Sequence, residues 1–211
     1  MTTSPRCLIF DLDGTLVDSE PACNQAFLDL IPDLDLQLEE LVRRYRGRKL
    51  ATIIDDIETH LGSTLPPDFI AAYRARVAVL FEDQLLPMPN AAETLAALTC
   101  PICVASSAPV SKITHALRLT GLEPYFAGQM YSSYEVGHWK PHPGLFLHVA
   151  EAMGFQPADC AVVDDSEVGI QAAVAAGMAA YQFIPDGGPL EPGATPISDL
   201  KDLLRLFPAA G

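Results

Sequence analysis

Positive charge is scarce in this 211-residue chain: 13 Lys and Arg stand against 27 Asp and Glu, for a net charge of −14. That balance speaks against a nucleic-acid partner, because such binding draws its affinity chiefly from Lys and Arg neutralising phosphates. A local positive site can override the global sign, so small phosphorylated metabolites remain candidate ligands. Long apolar runs are missing as well. Nothing reaches the roughly 18 uninterrupted apolar residues of a membrane span. Met1-Thr2-Thr3-Ser4-Pro5-Arg6 has no signal-peptide apolar segment before the first short strand, so neither membrane nor export is expected and the chain is read as cytoplasmic. A disulfide framework is also lacking, since Cys7, Cys23, Cys100, Cys103 and Cys160 are odd in number and scattered. Cys100-Pro101-Ile102-Cys103 has C-x-x-C spacing but leads into a strand, whereas a redox pair sits at a helix N-terminus that lowers a thiol pKa.

What is present is an ordinary globular composition, 49% apolar, in a chain long enough for a full core. The most informative segment is Leu8-Ile9-Phe10-Asp11-Leu12-Asp13-Gly14-Thr15, an apolar run that stops at two carboxylates one residue apart. In a strand, residues i and i+2 point the same way, so Asp11 and Asp13 can address one pocket where the strand opens into a loop. Two like charges so close are costly unless a cation or a proton relieves them. The segment is read either as a metal site or as a nucleophile beside a proton carrier. A solvated Asp/Gly turn is the plain alternative.

Asp18-Ser19-Glu20-Pro21 reads as a helix start, with Asp18 or Ser19 as N-cap and Pro21 in the first turn. From there to about Phe81 the pattern is helical: Leu50, Ile53, Ile54, Ile57 and Leu61 recur at helical spacing, as do Phe69, Ile70, Tyr73, Val77 and Leu80. After Leu86-Pro87-Met88-Pro89-Asn90 strands alternate with helices. The predicted strands are 102–105, 129–131, 161–163 and 179–184, the helices 111–119, 145–153, 167–176 and 198–206, and Pro185 to Pro196 is read as a surface loop. The alternation predicts an α/β fold, a doubly wound, Rossmann-like parallel sheet, with residues 1–15 and 87–211 as core and 16–86 as a helical insertion.

Further polar clusters fall where this pattern ends a strand or begins a helix: Ser106-Ser107, Trp139-Lys140-Pro141 and Asp164-Asp165-Ser166. In open parallel sheets ligands bind outside the carboxyl ends of the strands, so these clusters can converge with Asp11 and Asp13 on one crevice. Carboxylates hold a hard cation such as magnesium through oxygen. Lysine offsets charge on phosphoryl oxygens, and hydroxyls and turn amides donate to them. A carboxylate can itself be the nucleophile. The set suits phosphoryl transfer.

Taken in order, Asp11-Leu12-Asp13-Gly14-Thr15-Leu16-Val17-Asp18-Ser19, Ser106, Lys140-Pro141 and Val163-Asp164-Asp165-Ser166 resemble the four motifs of the haloacid dehalogenase superfamily. The resemblance spans nearly the whole chain, and in it the helical insertion is similar to the family's α-helical cap. It implies Asp11 as nucleophile, Asp13 as the acid that protonates the leaving oxygen and then activates water, and Ser106 and Lys140 as holders of the transferring phosphoryl. It implies magnesium at the Asp11 carboxylate, the Asp13 backbone carbonyl and Asp165, with Asp164 either a ligand or a support for Asp165 and Lys140. Asp13 points to phosphatase chemistry, because dehalogenase members lack the second aspartate. His138, His142 and His148 flank Lys140 and invite a zinc reading, which so carboxylate-rich a site disfavours.

Arg43-Arg44-Tyr45-Arg46-Gly47-Arg48-Lys49 is the one basic concentration. Arg43 and Arg44 fit a helix C-terminus ahead of Gly47. Gly47, Arg48 and Lys49, with Arg46, are read instead as a clamp for a second anionic group on the substrate. Ser107 and Ala108 are assigned to substrate binding, Ser107 through either its amide or its hydroxyl. Gly47-Arg48-Lys49-Leu50, Ser106-Ser107-Ala108-Pro109 and His138-Trp139-Lys140-Pro141 look most like the 6-phosphogluconate phosphatase branch, a neighbour of the β-phosphoglucomutase-like enzymes. The expectation is a magnesium-dependent phosphatase of a small sugar phosphate or sugar-acid phosphate, monomeric or homodimeric. A phosphosugar mutase is the nearest alternative. A phospho-accepting receiver is the remote one, disfavoured because its acidic pair comes early in the chain.

Overall fold

The computed structural model describes residues 5–46 and 48–207. The chain opens with β1 (Cys7–Phe10) and then runs through four helices, α1 (Glu20–Leu30), α2 (Leu38–Tyr45), α3 (Leu50–Leu61) and α4 (Phe69–Gln84). It continues as α5 (Ala91–Ala97), β2 (Ile102–Ser106), α6 (Val110–Leu119), β3 (Met130–Ser132), α7 (Ser133–Val136), α8 (Gly144–Ala152), β4 (Cys160–Asp164), α9 (Glu167–Ala175), β5 (Ala179–Phe183), β6 (Ala194–Ile197) and α10 (Asp202–Leu206). The six strands form one parallel sheet in the order β3-β2-β1-β4-β5-β6. That order reverses beside β1, so the crevice of a doubly wound sheet opens at the carboxyl ends of β1 and β4.

All four residues of β1 are buried, as a central parallel strand covered on both faces requires. Leu8 and Phe10 pack on one side with Ile113, Leu117 and Phe126, and Cys7 and Ile9 on the other with Phe146, Val149 and Ile170. The fold class is therefore the one expected. Helices α5 and α7 were not among the predicted elements, and two further stretches depart from expectation. The stretch 185–196 is not all loop, because Ala194–Ile197 adds β6 alongside β5. It is an edge strand whose Thr195 and Pro196 are exposed, so it carries no apolar signature, and proline is tolerated there. The last helix starts at Asp202 rather than near Ser198, because Asp202 turns back to accept from the amides of Ser198 and Asp199.

The four helices between β1 and α5 pack on one another through aromatic side chains that are continuous with the apolar cluster on one face of the sheet. Phe27 of α1 stacks on Tyr73 of α4 with ring centroids 4.4 Å apart, and Tyr45 of α2 meets Phe27 edge-on. Ile70 leaves this stripe and is exposed, since it lies about 100° around the helix from Phe69. The chain leaves for the helices and returns from them side by side. Asp18 donates from its amide to Leu86 O, Met88 donates to Leu16 O, and Val17 bridges Pro87. This paired crossing supports drawing the boundaries of the insertion at 16 and 86, and we propose that division. No described helix is long and apolar enough to cross a membrane.

Candidate active site

β1 delivers Asp11 to its own carboxyl end, and β4 delivers Asp164 beside it, since Phe10 pairs with Val163. Both carboxylates meet Lys140, whose ammonium lies 2.5 Å from Asp11 Oδ1 and 2.7 Å from Asp164 Oδ2 and is almost wholly buried. Asp164 spends its other oxygen, Oδ1, on the Ser166 amide at 2.9 Å and hydroxyl at 2.6 Å. Ser166 caps α9 by accepting from the Gly169 amide. A β-carbon on Gly169 would overlap the Asp164 carboxylate, so glycine is what lets α9 approach this strand end. Both Asp164 oxygens thus accept hydrogen bonds, which tie it to Lys140 and to the turn.

Asp165 points to the cavity side and is tied to the first loop. Thr15 Oγ1 donates to its Oδ1 and accepts from its backbone amide. Gly14, at φ +78°, passes so close that a β-carbon there would overlap the Asp165 carboxylate. One oxygen each from Asp11, Asp164 and Asp165 falls within 4.8 Å of the others. Burial pushes the Asp11 carboxyl up to about 7; Lys140 pulls the other way, and Asp164 and Asp13 add to the rise. Asp165 is raised well above the carboxylate range by burial and then by Asp164 and Asp11. One lysine does not balance three acids. The excess negative charge, on hard oxygen donors at chelating distance, fits a magnesium ion.

Asp13 stands apart from that group. Its carboxylate accepts from Ser19 Oγ at 2.5 Å and from Lys112 Nζ, 2.8 Å from Oδ1 and 2.9 Å from Oδ2. Burial opposes its ionisation, but the Lys112 charge and the hydrogen bonds from Lys112 and Ser19 prevail and hold it below the usual carboxylate range. Ser19 does occupy the N-cap position of α1, yet its side chain makes no capping bond. The expected cap is thus corrected: the hydroxyl reaches back across six residues to Asp13 instead.

Ser106 ends β2 and accepts from the Ala108 amide at 3.1 Å, which leaves its own proton for a ligand. The Ala108 carbonyl is held by Ser132 Oγ at 2.6 Å, so the turn from Ser106 to Ala108 is fixed from β3. A cavity of about 470 Å³ joins these groups, and Asp11, Asp13, Ser106, Ser107, Ala108, Lys140 and Asp165 all line it.

The helical insertion adds further lining, which includes Arg48 and Lys49 but not Arg46. Gly47 lies outside the described residues. Arg44 pairs with Asp56 at 2.8 Å, as a structural arginine would. Lys49 rests 4.5 Å from the centroid of Trp139, the chain's one tryptophan, so at least part of its role is to join the insertion to the core. The rings of His138 and His142 stack on each other, and the Gly144 amide donates to His142 Nδ1. Among the described residues the one group of three or more potential metal-binding side chains is the acidic one.

Thr15, Ser132 and Lys112 received no role from sequence. Thr15 was visible inside the first motif. Ser132 is locally a helix cap, accepting from the Tyr134 amide, but its hold on Ala108, like that of Lys112 on Asp13, is defined by a partner far away in the chain.

A family model described as haloacid dehalogenase-like hydrolase matches residues 5–177. The 6-phosphogluconate phosphatase of Escherichia coli K12 is 37% identical to this chain, an alignment that covers 98% of it and 96% of that enzyme. A fructose-1-phosphate phosphatase of the same strain is 31% identical, over 81% of this chain and 92% of its own length. Among solved structures, a haloacid dehalogenase-like protein of unknown function from Agrobacterium tumefaciens superposes with a TM-score of 0.81 at 30% identity, covering 97% of this chain and 98% of its own.

Proposed function

This chain belongs to the haloacid dehalogenase-like hydrolase family, and on that premise we propose that it is a magnesium-dependent phosphatase acting on a small anionic sugar phosphate, with a sugar-acid phosphate such as 6-phosphogluconate as the leading candidate. The observation that carries the chemistry is Asp11, buried at the end of β1 and held by Lys140 within reach of Asp165. Support for the substrate class comes from phosphatases of phosphorylated sugars and sugar acids among the relatives, and from Arg48 in the lining of the cavity.

In this reading Asp11 attacks phosphorus through a carboxylate oxygen while the bond from phosphorus to the sugar oxygen breaks. Asp13, which Lys112 and Ser19 hold ionised in the free protein, takes the proton carried in by the phosphate monoester monoanion and passes it to that leaving oxygen. Lys140 and the Ser106 hydroxyl hold the phosphoryl oxygens. Water then attacks the aspartyl-phosphate as Asp13 takes its proton, the acyl-phosphate bond breaks, and inorganic phosphate leaves. Asp11 and Asp165 would hold the magnesium, with the Asp13 carbonyl completing the protein's donors and Asp164 fixing Lys140. The ion supplies positive charge to the transferring phosphoryl. Arg48 pairs with the substrate's second anionic group.

The test is release of inorganic phosphate from a panel of phosphorylated metabolites with magnesium, beside Asp11→Asn and a chelator control. Release from an anionic sugar phosphate, abolished by both controls, supports the reading. Interconversion of glucose phosphates with a bisphosphate primer and no phosphate release would replace it with a mutase.

A further inference from the structure

Lys112 is a charged side chain of the cavity that the chemistry above leaves without a task. It projects from the first turn of α6, in the core, and its ammonium contacts both oxygens of Asp13. The surroundings make the contact specific. The ammonium lies 3.7 Å from Cys23 Sγ of α1 and 5.6 Å from the ring centroid of Phe81 in α4, and the Glu20 carboxylate of α1 adds its charge, so these neighbours beyond Asp13 belong to the helical insertion. Asp13 has a second tether, the Ser19 hydroxyl, which approaches from the chain's exit into the same insertion. The two donors fix the carboxylate's position and plane, and keep it off the buried ammonium of Lys140, which already serves Asp11 and Asp164.

We propose that Lys112 is a positioning residue that aims the Asp13 carboxyl at the leaving-group oxygen, and that it links this aim to the packing of the helical insertion over the site. The proposal rests on the reading of Asp13 as acid and base. A proton carrier contributes only when its oxygen lies within hydrogen-bond reach of the atom it serves. A short acidic side chain next to a rival cation needs a dedicated partner to stay there. Cys23 and Phe81 flank the ammonium, so displacement of α1 and α4 would expose the pair, now about a quarter accessible, more fully to water and loosen it.

The readout is leaving-group dependence. The ratio kcat/KM reports steps up to enzyme phosphorylation, and p-nitrophenolate departs without a proton whereas a sugar alkoxide does not. Lys112→Met and Asp13→Asn are compared with the parent on p-nitrophenyl phosphate, 6-phosphogluconate and fructose 1-phosphate, with melting temperature as a check on folding. For Lys112→Met, kcat/KM is expected to fall about 100-fold on the sugar phosphate that the parent hydrolyses best and to stay within about threefold on p-nitrophenyl phosphate. Lys112→Arg keeps a cation in reach of Asp13 and is expected to recover most of the lost sugar-phosphate activity. If Lys112→Met does not fold, Lys112→Gln is measured in its place with the same expectation. Equal losses on both kinds of substrate, or no loss on either, would overturn the role of Lys112. If Asp13→Asn itself fails to discriminate between leaving groups, the reading of Asp13 fails first and takes this proposal with it.

Discussion

Thr15 and Asp165 exchange hydrogen bonds across 150 residues of chain: the threonine hydroxyl donates to the carboxylate at 3.2 Å and accepts from the aspartate's own amide at 3.1 Å. The loop after β1 and the turn after β4 are thereby locked together in the two segments that supply Asp11 and Asp165. Thr15→Val keeps the shape and removes both bonds, leaving a buried amide and a carboxylate oxygen unmatched. We expect a loss of about 1–3 kcal/mol in stability. Weaker magnesium binding should accompany it, and thermal unfolding with titration calorimetry would measure the two effects.

Gly169→Ala tests the close approach of α9 to β4. Alanine favours helix, so at an ordinary helical glycine the change would stabilise by roughly 1 kcal/mol. Here the new methyl collides with the Asp164 carboxylate, and a net destabilisation of about 1–3 kcal/mol is expected. Lys140 loses its anchor in the same step, so phosphate release should drop as well. An alanine variant more stable than its parent would contradict the packing.

Arg48→Ala should raise KM for an anionic sugar phosphate by about tenfold and leave p-nitrophenyl phosphate almost unchanged, because an exposed charge-assisted bond carries on the order of 1.5 kcal/mol. Steady-state kinetics on the two substrates decide it. Equal shifts would mean that Arg48 does not read the distal anion.

Lys49→Met removes the cation over Trp139 and one of the contacts joining the insertion to the core; the other nearby contact is Arg74 on the Tyr134 hydroxyl at 2.9 Å. Trp139 is the single tryptophan, so its emission reports this seam alone. A red shift is expected in the variant as the half-buried indole gains water. An unchanged spectrum would show that Lys49 does not hold the seam.

The Tyr45 hydroxyl, at 2.7 Å, and Arg44 both bind Asp56 and hold its carboxyl below the usual range. A carboxyl depressed in the folded state adds stability that is present above its unfolded pKa, about 3.9, and lost as pH falls through the lower folded value. Asp56→Asn should therefore be less stable than the parent at pH 7 by about 0.5–1 kcal/mol. The gap should narrow as pH falls below the unfolded value and close once it is below the lower folded value, where the parent's carboxylate is protonated too. Melting temperatures of both proteins against pH would show the convergence, and a gap constant with pH would refute the pairing.

The α/β core and most of its site residues were legible because the signals are local. β1, β2 and β4 are short apolar runs that end in polar residues, and a parallel strand buried on both faces has no other composition available to it. Asp11, Ser106 and Asp164 could be placed on one crevice from strand ends alone. β6 was not legible, since an edge strand with Thr195 and Pro196 facing out draws its identity from β5 rather than from its own residues. Ser19 shows the same limit from the other side: a serine before a helix reads as a cap, and only the return of the chain past Asp13 turns its hydroxyl elsewhere.

By itself, then, the sequence determined the alternation of the central strands with most of their helices, the helical stretch after the first strand and the acids at the strand ends, all of which follow from periodicity and from residues adjacent in the chain. The tertiary structure alone decided which donor each acid received. Lys140 went to Asp11 and Asp164, Thr15 to Asp165, and Lys112 to Asp13, across separations of 24 to 150 residues. Hydrogen bonds form at about 3 Å and charges buried together must be matched within that reach, so such pairings exist only once the sheet has brought its strand ends side by side.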